Sequence, residues 1–169
     1  IATGIFEGAV YPWEVLSKIG DYIVELGNSL PQKEYYKRGD NIWIHKEATV
    51  FDSAYIAGPA IICKGAEVRH CAFIRGKAVV GENAVVGNST ELKNVILFDN
   101  VQVPHYNYVG DSILGYKAHM GAGSITSNVK SDKTNVVIKY EGDKIETGLK
   151  KMGAILGNYV EVGCNSVLN

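Results

Sequence analysis

The chain has 169 residues, of which 46% are hydrophobic and 21% are charged, and its formal net charge is −1. A nearly neutral chain offers no strong attraction to nucleic acid or to an anionic membrane surface, and no apolar run reaches the roughly 18 residues of a membrane-spanning helix. The three cysteines form no metal-type pair, and their odd number favours a reducing, cytoplasmic setting.

Residues 1–40 are predicted to form a helix and a loop that cap the rest of the chain. From Pro12 to about Leu26 apolar residues recur at helical spacing, Pro12 suits the first helical turn, and Gly27 suits the end of the helix. The polar residues 28–40 follow as a loop. We expect the helix to cover an open end of the next domain rather than to bind a partner.

A strict six-residue repeat organises the chain from about residue 41. A period of six fits neither an α-helix nor an alternating strand, and it is typical of a parallel β-helix. Three hexads make one triangular coil of roughly 18 residues, with coils stacked about 4.8 Å apart. The inward position is predicted to hold Ile44, Val50, Ile56, Ile62, Val68, Ile74, Val80, Val86, Leu92 and Phe98.

The repeat is interrupted twice within the predicted β-helix, residues 41–169. Its phase changes after Phe98, which predicts a skipped or inserted corner between about residues 102 and 108, where His105 lies. It fails again over about residues 127–153, which form a polar, lysine-rich loop. Loops on a rigid scaffold are frequent places for binding and catalysis.

The second interruption contains two apolar stretches that are predicted to pair as a short hairpin around Gly142. They are Val136–Ile138 and Lys144–Ile145. Hexads then resume, and the chain ends inside a repeat at Asn169. Because the chain also begins without Met, we expect it to be part of a longer protein.

Stacking places two cations side by side. Arg75 and Lys93 each follow an inward aliphatic residue and lie 18 residues apart, which is one full coil. Two cations about 5 Å apart repel, and a phosphate could bridge them, although two solvated surface charges fit the spacing equally well. His105 falls on a different face, so joint action would need a neighbouring subunit. This predicts a homotrimer with sites at the subunit interfaces.

The segment Val86–Asp111, VGNSTELKNVILFDNVQVPHYNYVGD, resembles a family of bacterial bifunctional enzymes. In that family a glucosamine-1-phosphate acetyltransferase domain is joined to a uridylyltransferase that makes UDP-N-acetylglucosamine. The shared motifs are VGN, E-x-K-[KN] and H-x-x-Y-x-GD at the same spacing, followed by GAGSITSN at Gly121–Asn128. Solenoid-only proteins related to sugar-nucleotide pyrophosphorylases are similar too. Residues 1–40 carry no Gly-rich nucleotide loop, so no nucleotidyltransferase domain is expected.

The resemblance covers roughly residues 60–168 and implies an all-β, left-handed parallel β-helix with acetyl-CoA as co-substrate. His105 matches the general base that takes a proton from the sugar amine, a task that suits a neutral imidazole. Ala122 and Cys164 match positions that line the acetyl-CoA site. The implied substrate-binding residues are Arg75, Lys93, Tyr108 and, more loosely, Lys133 for the phosphate, with Asn128 and His119 for the sugar.

Three positions depart from the family pattern. His119 stands in place of an Asn that helps to hold the amino sugar, Val129 in place of an aromatic residue, and Cys164 in place of a serine. The departures at His119 and Val129 favour a second hypothesis, a non-catalytic trimeric module that binds a sugar phosphate or supports assembly. The intact ELK and H-x-x-Y spacing favours the first, direct acetyl transfer to an amino-sugar phosphate without a covalent enzyme intermediate.

A third hypothesis is a zinc hydratase, because the hexapeptide fold also hosts carbonic anhydrases. A catalytic zinc site needs at least three protein ligands. His105 and His119 lie fourteen residues apart and His70 lies on an earlier coil, so the spacing does not favour a zinc site and no metal is expected.

Overall fold

The computed structural model describes residues 1–169. The chain contains one α-helix, α1 (Ile19–Ser29), two short 3-10 helices (Thr3–Phe6 and Pro12–Val15) and nineteen short strands. No helix is both long and apolar enough to cross a membrane. The strands are β1 (Tyr35–Lys37), β2 (Ile42–His45), β3 (Thr49–Val50), β4 (Tyr55–Ile56), β5 (Ala60–Ile62), β6 (Glu67–Val68), β7 (Phe73–Ile74), β8 (Ala78–Val80), β9 (Val85–Asn88), β10 (Glu91–Leu97), β11 (Gln102–His105), β12 (Tyr108–Leu114), β13 (His119–Met120), β14 (Ile125–Thr126), β15 (Val137–Tyr140), β16 (Asp143–Glu146), β17 (Ile155–Leu156), β18 (Glu161–Val162) and β19 (Val167–Leu168).

Most strands stack in parallel into the three flat sides of a prism, which we call faces I, II and III. Face I contains β2, β5, β8, the second halves of β10 and β12, and β17. Face II contains β3, β6, β9, β11, β13 and β18. Face III contains β4, β7, the first halves of β10 and β12, β14 and β19. Strand β1 runs antiparallel to β2 and extends face I at its N-terminal end.

The inward aliphatic positions form the core of the prism, as the six-residue repeat predicts. Ile62, Ile74, Val80, Val86 and Leu92 are all fully buried in one cluster of 22 residues. Since each coil leaves its inner side chains uncovered at both ends, the next coil supplies the burial that stabilises it.

The predicted position of the phase change is wrong. Leu97, not Phe98, is the inward residue, because Leu97 pairs with Val80 on one side and with Leu114 on the other. Only five residues separate Leu92 from Leu97, and the same spacing separates Val109 from Leu114. Two successive coils therefore lack one residue at the corner between faces III and I.

The shortened corners are closed by Asn94 and Asp111, which adopt the left-handed backbone conformation with φ of 55° and 49°. Asn and Asp tolerate this conformation better than most other residues. His105 instead ends the regular strand β11, so it does not lie in an inserted corner.

The N-terminal helix covers a flat side of the prism rather than its open end, contrary to expectation. Ile19 and Ile23 are fully buried and pack, with Val15 and Leu16, against the outer side of face I. Face I contributes Trp43, Ile61, Val79, Ile96 and Ile113 to this second apolar cluster.

The predicted hairpin within the interruption is confirmed. Strands β15 and β16 pair antiparallel around Glu141 and Gly142, both at positive φ. Ile138 and Ile145 pack against the apolar cluster outside face I. The segment of about residues 127–153, which we call the excursion, therefore packs back onto the prism.

Gly27 lies inside α1, not at its end, and a Cβ there would overlap the Trp43 ring. We predict that Gly27→Ala lowers the free energy of unfolding by about 1–3 kcal/mol, since the core side of the helix has no room. Gly20→Ala is the matched control. Its Cβ would meet only the flexible Lys77 side chain, at 3.2 Å, so helix propensity should raise stability by up to about 1 kcal/mol. Urea unfolding measures the stability of both variants. If both substitutions stabilised the protein equally, the close packing of Gly27 against Trp43 would be contradicted.

Candidate functional site

Two cations lie side by side at the corner between faces III and I. Strands β7 and β10 pair Ile74 with Leu92, and the Arg75 amide donates to the Leu92 carbonyl at 2.8 Å. Arg75 and Lys93 therefore follow in register on adjacent coils, as their spacing predicts. Both line a shallow cleft of about 270 Å³, in which Pro59 supplies the one apolar side chain.

Each cation is held by a carboxylate. Arg75 Nη1 lies 2.7 Å from Glu91 Oε1, and Lys93 Nζ lies 3.1 Å from Asp111 Oδ2. The hydrogen bond that Arg75 donates to the Glu91 carboxylate raises the pKa of Arg75. Side chains of the Arg75–Glu91 pair are 46% and 32% exposed, and water and salt screen such surface pairs, so that they contribute little to stability. Arg75 can therefore exchange Glu91 for another anion at little cost.

Asp111 is the centre of the polar cluster at this corner. It is only 5% exposed, and it accepts hydrogen bonds from Lys93, from Asn94 at 2.9 Å and from Asn128 at 2.6 Å. Asn128 also donates to the Tyr108 hydroxyl at 3.2 Å. We call Arg75, Lys93, Tyr108, Asp111 and Asn128 the basic corner.

Sequence reasoning missed the structural role of Asp111. The signal that could have found it is the spacing of Asn94, Asp111 and Asn128, which follow one another at 17 residues. Once the coil length is known to fall from 18 to 17 residues, the three positions must share one column. A carboxylate between two amides in such a column can accept from both.

His105 lies at the other edge of face III, at the corner with face II. It ends β11 and pairs in register with Asn88. Its carbonyl accepts from the Gly123 amide at 2.9 Å, and the Ala122 carbonyl accepts from the Asn165 amide at 2.8 Å. His105, Ala122 and Cys164 therefore follow one another on three successive coils. We call this line of residues the His105 column.

The basic corner and the His105 column lie at opposite edges of face III. Tyr108 lies between them, but its hydroxyl reaches over Gly110 towards Asn128. His119 faces outward from β13 on face II, where its Nδ1 lies 3.6 Å from Glu161. Lys133 lies in an exposed turn of the excursion, away from the residues that line the cleft. The candidate residues thus form two separate groups and two outliers.

No three or more His, Cys, Asp or Glu side chains of residues 1–169 are grouped so as to hold a metal ion. His70 instead packs against Phe51, with ring centroids 4.4 Å apart and ring planes tilted by 56°, and its Nδ1 lies 2.9 Å from the Ser53 hydroxyl.

The sequence matches the family model of the GMPPB C-terminal domain over residues 56–169. It is similar to the bifunctional protein GlmU of Methanococcus maripaludis strain C5, with 33% identity over 162 residues, 95% of this chain and 39% of the relative. It is also similar to a bifunctional sugar-1-phosphate nucleotidylyltransferase/acetyltransferase of Sulfurisphaera tokodaii, with 32% identity over 122 residues, 72% of this chain and 30% of the relative. These matches confirm the resemblance, and the chain spans about two fifths or less of these relatives.

A solved structure supports the fold class. The crystal structure of a hexapeptide transferase family protein from Anaplasma phagocytophilum aligns with a TM-score of 0.56 at 19% identity. The alignment covers 75% of this chain and 64% of that protein. The predicted fold, a left-handed parallel β-helix, is therefore confirmed.

Removing the charge of Asp111 should weaken the fold because three donors converge on this buried carboxylate. We predict that Asp111→Asn lowers the free energy of unfolding by about 2 kcal/mol, since hydrogen bonds to charged groups contribute about 1.5–3 kcal/mol each. Glu91→Gln, in the exposed pair, should change it by less than about 0.5 kcal/mol. Chemical denaturation of both variants tests this contrast, and equal effects would show that Asp111 is not the centre of the cluster.

Proposed function

Because the chain belongs to the family of the GMPPB C-terminal domain, we propose that it is an acyltransferase that moves an acetyl group from acetyl-CoA to the amine of an amino-sugar phosphate such as glucosamine-1-phosphate. The Sulfurisphaera tokodaii relative is named as a bifunctional nucleotidylyltransferase/acetyltransferase. One observation carries the proposal. Four side chains that the resemblance assigns to the sugar phosphate come from four successive coils and gather at one corner: Arg75, Lys93, Tyr108 and Asn128.

The basic corner suits a phosphate because one of its two cations is paired with a buried carboxylate and the other with a more exposed one. Lys93 is anchored by Asp111, and an ammonium group has further donors for a phosphate oxygen. Arg75 is held only by the exposed Glu91 carboxylate, and a guanidinium binds phosphate through paired N–H donors. A phosphate that displaces Glu91 from Arg75 would relieve the repulsion between the two cations. The Tyr108 hydroxyl lies at the same corner.

The chemistry proposed for His105 is general base catalysis. The sugar amine attacks the thioester carbonyl, so a C–N bond forms while the C–S bond breaks. His105 accepts the proton that the amine loses and returns it to the departing CoA thiolate. A neutral imidazole suits the first transfer near pH 7, and the imidazolium that it becomes carries out the second. Ala122 and Cys164 continue the His105 column with small side chains, which suits the approach of a long, thin pantetheine arm.

We propose that three chains assemble so that the two groups of residues meet at subunit interfaces. The outer side of face III supports this, because most side chains in its outward row are apolar or aromatic and α1 does not cover them, although Glu91 interrupts the row between Phe73 and Tyr108. Tyr55, Phe73 and Val167 in this row are 61%, 41% and 54% exposed. The equivalent row on face I lies under α1. A second copy against face III would bring its own residues to both edges.

Several properties of the protein stay predictions. They are sugar binding by His119, phosphate binding by Lys133, acetyl-CoA as the acyl donor, a cytoplasmic location, and a division of the chain into a cap of residues 1–40 and a β-helix of residues 41–169.

A non-catalytic sugar-phosphate-binding or assembly module is the second candidate. The observation that favours it is the place of His119, which stands where the related family has a sugar-binding Asn. It faces outward from face II and lies 3.6 Å from Glu161. Binding of glucosamine-1-phosphate without turnover, lost in Lys93→Ala, would support this candidate.

The central prediction concerns His105. With acetyl-CoA and glucosamine-1-phosphate, followed by thiol release, His105→Ala should lower kcat at least about 100-fold, as expected for the loss of a general base. His70→Ala is a matched control on the same corner two coils earlier, and it should retain activity. Equal activity of the two variants would reject His105 as the base. An inactive wild-type chain at millimolar substrate would reject this acceptor.

A second prediction concerns assembly. Light scattering should give the mass of three chains for the wild type and of one chain for Phe73→Glu, because a buried unpaired carboxylate would oppose contact at face III. Gln102→Glu, at the equivalent outer position of face II, should leave the mass unchanged. A monomeric wild type would contradict the proposed assembly, as would dissociation by both variants.

A further inference from the structure

A column of buried polar side chains runs inside the prism beneath the corner that carries His105. In earlier coils this column holds alanine, including Ala72, which is 1% exposed. The next three coils hold Thr90, Asn107 and Ser124, which are 0%, 2% and 0% exposed. Interiors tolerate polar groups only where hydrogen bonds satisfy them. The change from alanine to polar residues coincides with the coils around His105.

Asn107 joins the backbone of His105 to the next coil. Its Oδ1 accepts from the His105 amide at 3.1 Å. Its Nδ2 lies 2.9 Å from the Gly121 carbonyl, 3.1 Å from the Ser124 carbonyl and 3.1 Å from the Ser124 hydroxyl. The side chain therefore reaches from the strand end that presents His105 to the two residues that flank the Ala122 corner.

The backbone around His105 needs such a connection. Tyr106, the next residue, has a left-handed conformation with φ of 52°, which is unfavourable for a residue with a large side chain unless its surroundings hold it. The Tyr106 amide donates to the Asn88 carbonyl at 2.9 Å, and the His105 carbonyl accepts from Gly123. Asn107 satisfies the remaining His105 amide. The corner is thus tied to the coils on both sides.

We propose that Asn107 is a positioning residue for His105, and that it fixes the imidazole relative to the coil that carries Ala122. This inference rests on the proposed function, in which His105 acts on an amine next to the thioester. A displaced base still allows substrates to bind, but an error near 1 Å can cost about 100-fold in rate. Asn107 touches no substrate in this account, and it acts only through the backbone of His105.

The test is a pair of variants in two backgrounds. Asn107→Ala restores the alanine of the earlier coils, and it should lower kcat about 10- to 100-fold with unchanged KM for acetyl-CoA and for glucosamine-1-phosphate. In the His105→Ala background the same substitution should cause no further loss. Ser166→Ala is the matched control, one coil beyond Ser124 in the same column, and it should behave like the wild type. Equal losses in both backgrounds would overturn the proposal.

A second measurement does not depend on catalysis. Amide hydrogen exchange should show a protected His105 amide in the wild type and at least about tenfold faster exchange in Asn107→Ala, while the amides of Val86 and Met120 stay protected. Asn107→Ser, with a side chain that fits the column, gives the same comparison should the alanine variant unfold. If the wild type transfers no acetyl group, the proposed function fails, but exchange of the His105 amide still tests the positioning role of Asn107. An unchanged exchange rate of that amide in Asn107→Ala would overturn this role.

Discussion

The stacking of coils at a spacing of about 4.8 Å is the constraint on which the other features of the molecule depend. Among the residues of the prism itself, a residue has two kinds of neighbours, those on its own coil and those one coil length away. Arg75 meets Lys93, and His105 meets Ala122, because a coil length separates them. Chemistry on this scaffold is therefore assembled in columns, and a change in coil length changes which residues share a column.

The two 17-residue coils show how such a change builds a polar site. Losing one residue at the corner between faces III and I brings Asn94, Asp111 and Asn128 into a single column. Beneath this corner the buried hydroxyl of Thr126 accepts from the Gly110 amide at 2.9 Å. The shortened coils thus leave backbone groups that side chains must satisfy, and the interior becomes polar in the coils that carry the candidate site. No buried side-chain nitrogen or oxygen is left without a partner.

The sequence predicts the coils well because inward positions tolerate only apolar or small side chains at a fixed period. It misplaces the phase change because Leu97 and Phe98 are adjacent and both apolar, so that either could point inward. The place of α1 was also visible in principle. Strands that are apolar on both sides must be covered on both sides, and the face I strands have this character in IWI, AII, AVV, VIL and SIL. The place of Asp111 at the centre of the polar cluster can be predicted only once the shortened coils are known, because the 17-residue coil length decides which residues are its neighbours.

The rigidity of the prism keeps the basic corner and the His105 column of one chain apart. Faces meet at corners that are held by ladders of backbone hydrogen bonds, so face III cannot fold to bring its edges together. The basic corner has cations and no base, whereas the His105 column has a base and no cation that could bind a phosphate. Between them lies the outward row of face III, in which Glu91 interrupts a mostly apolar series that includes Tyr55, Phe73 and Val167. Exposure of these apolar side chains to water is unfavourable. A second copy that covers this row would bury its apolar side chains. The same contact would complete the site, because it would bring the base of one chain to the cations of the other.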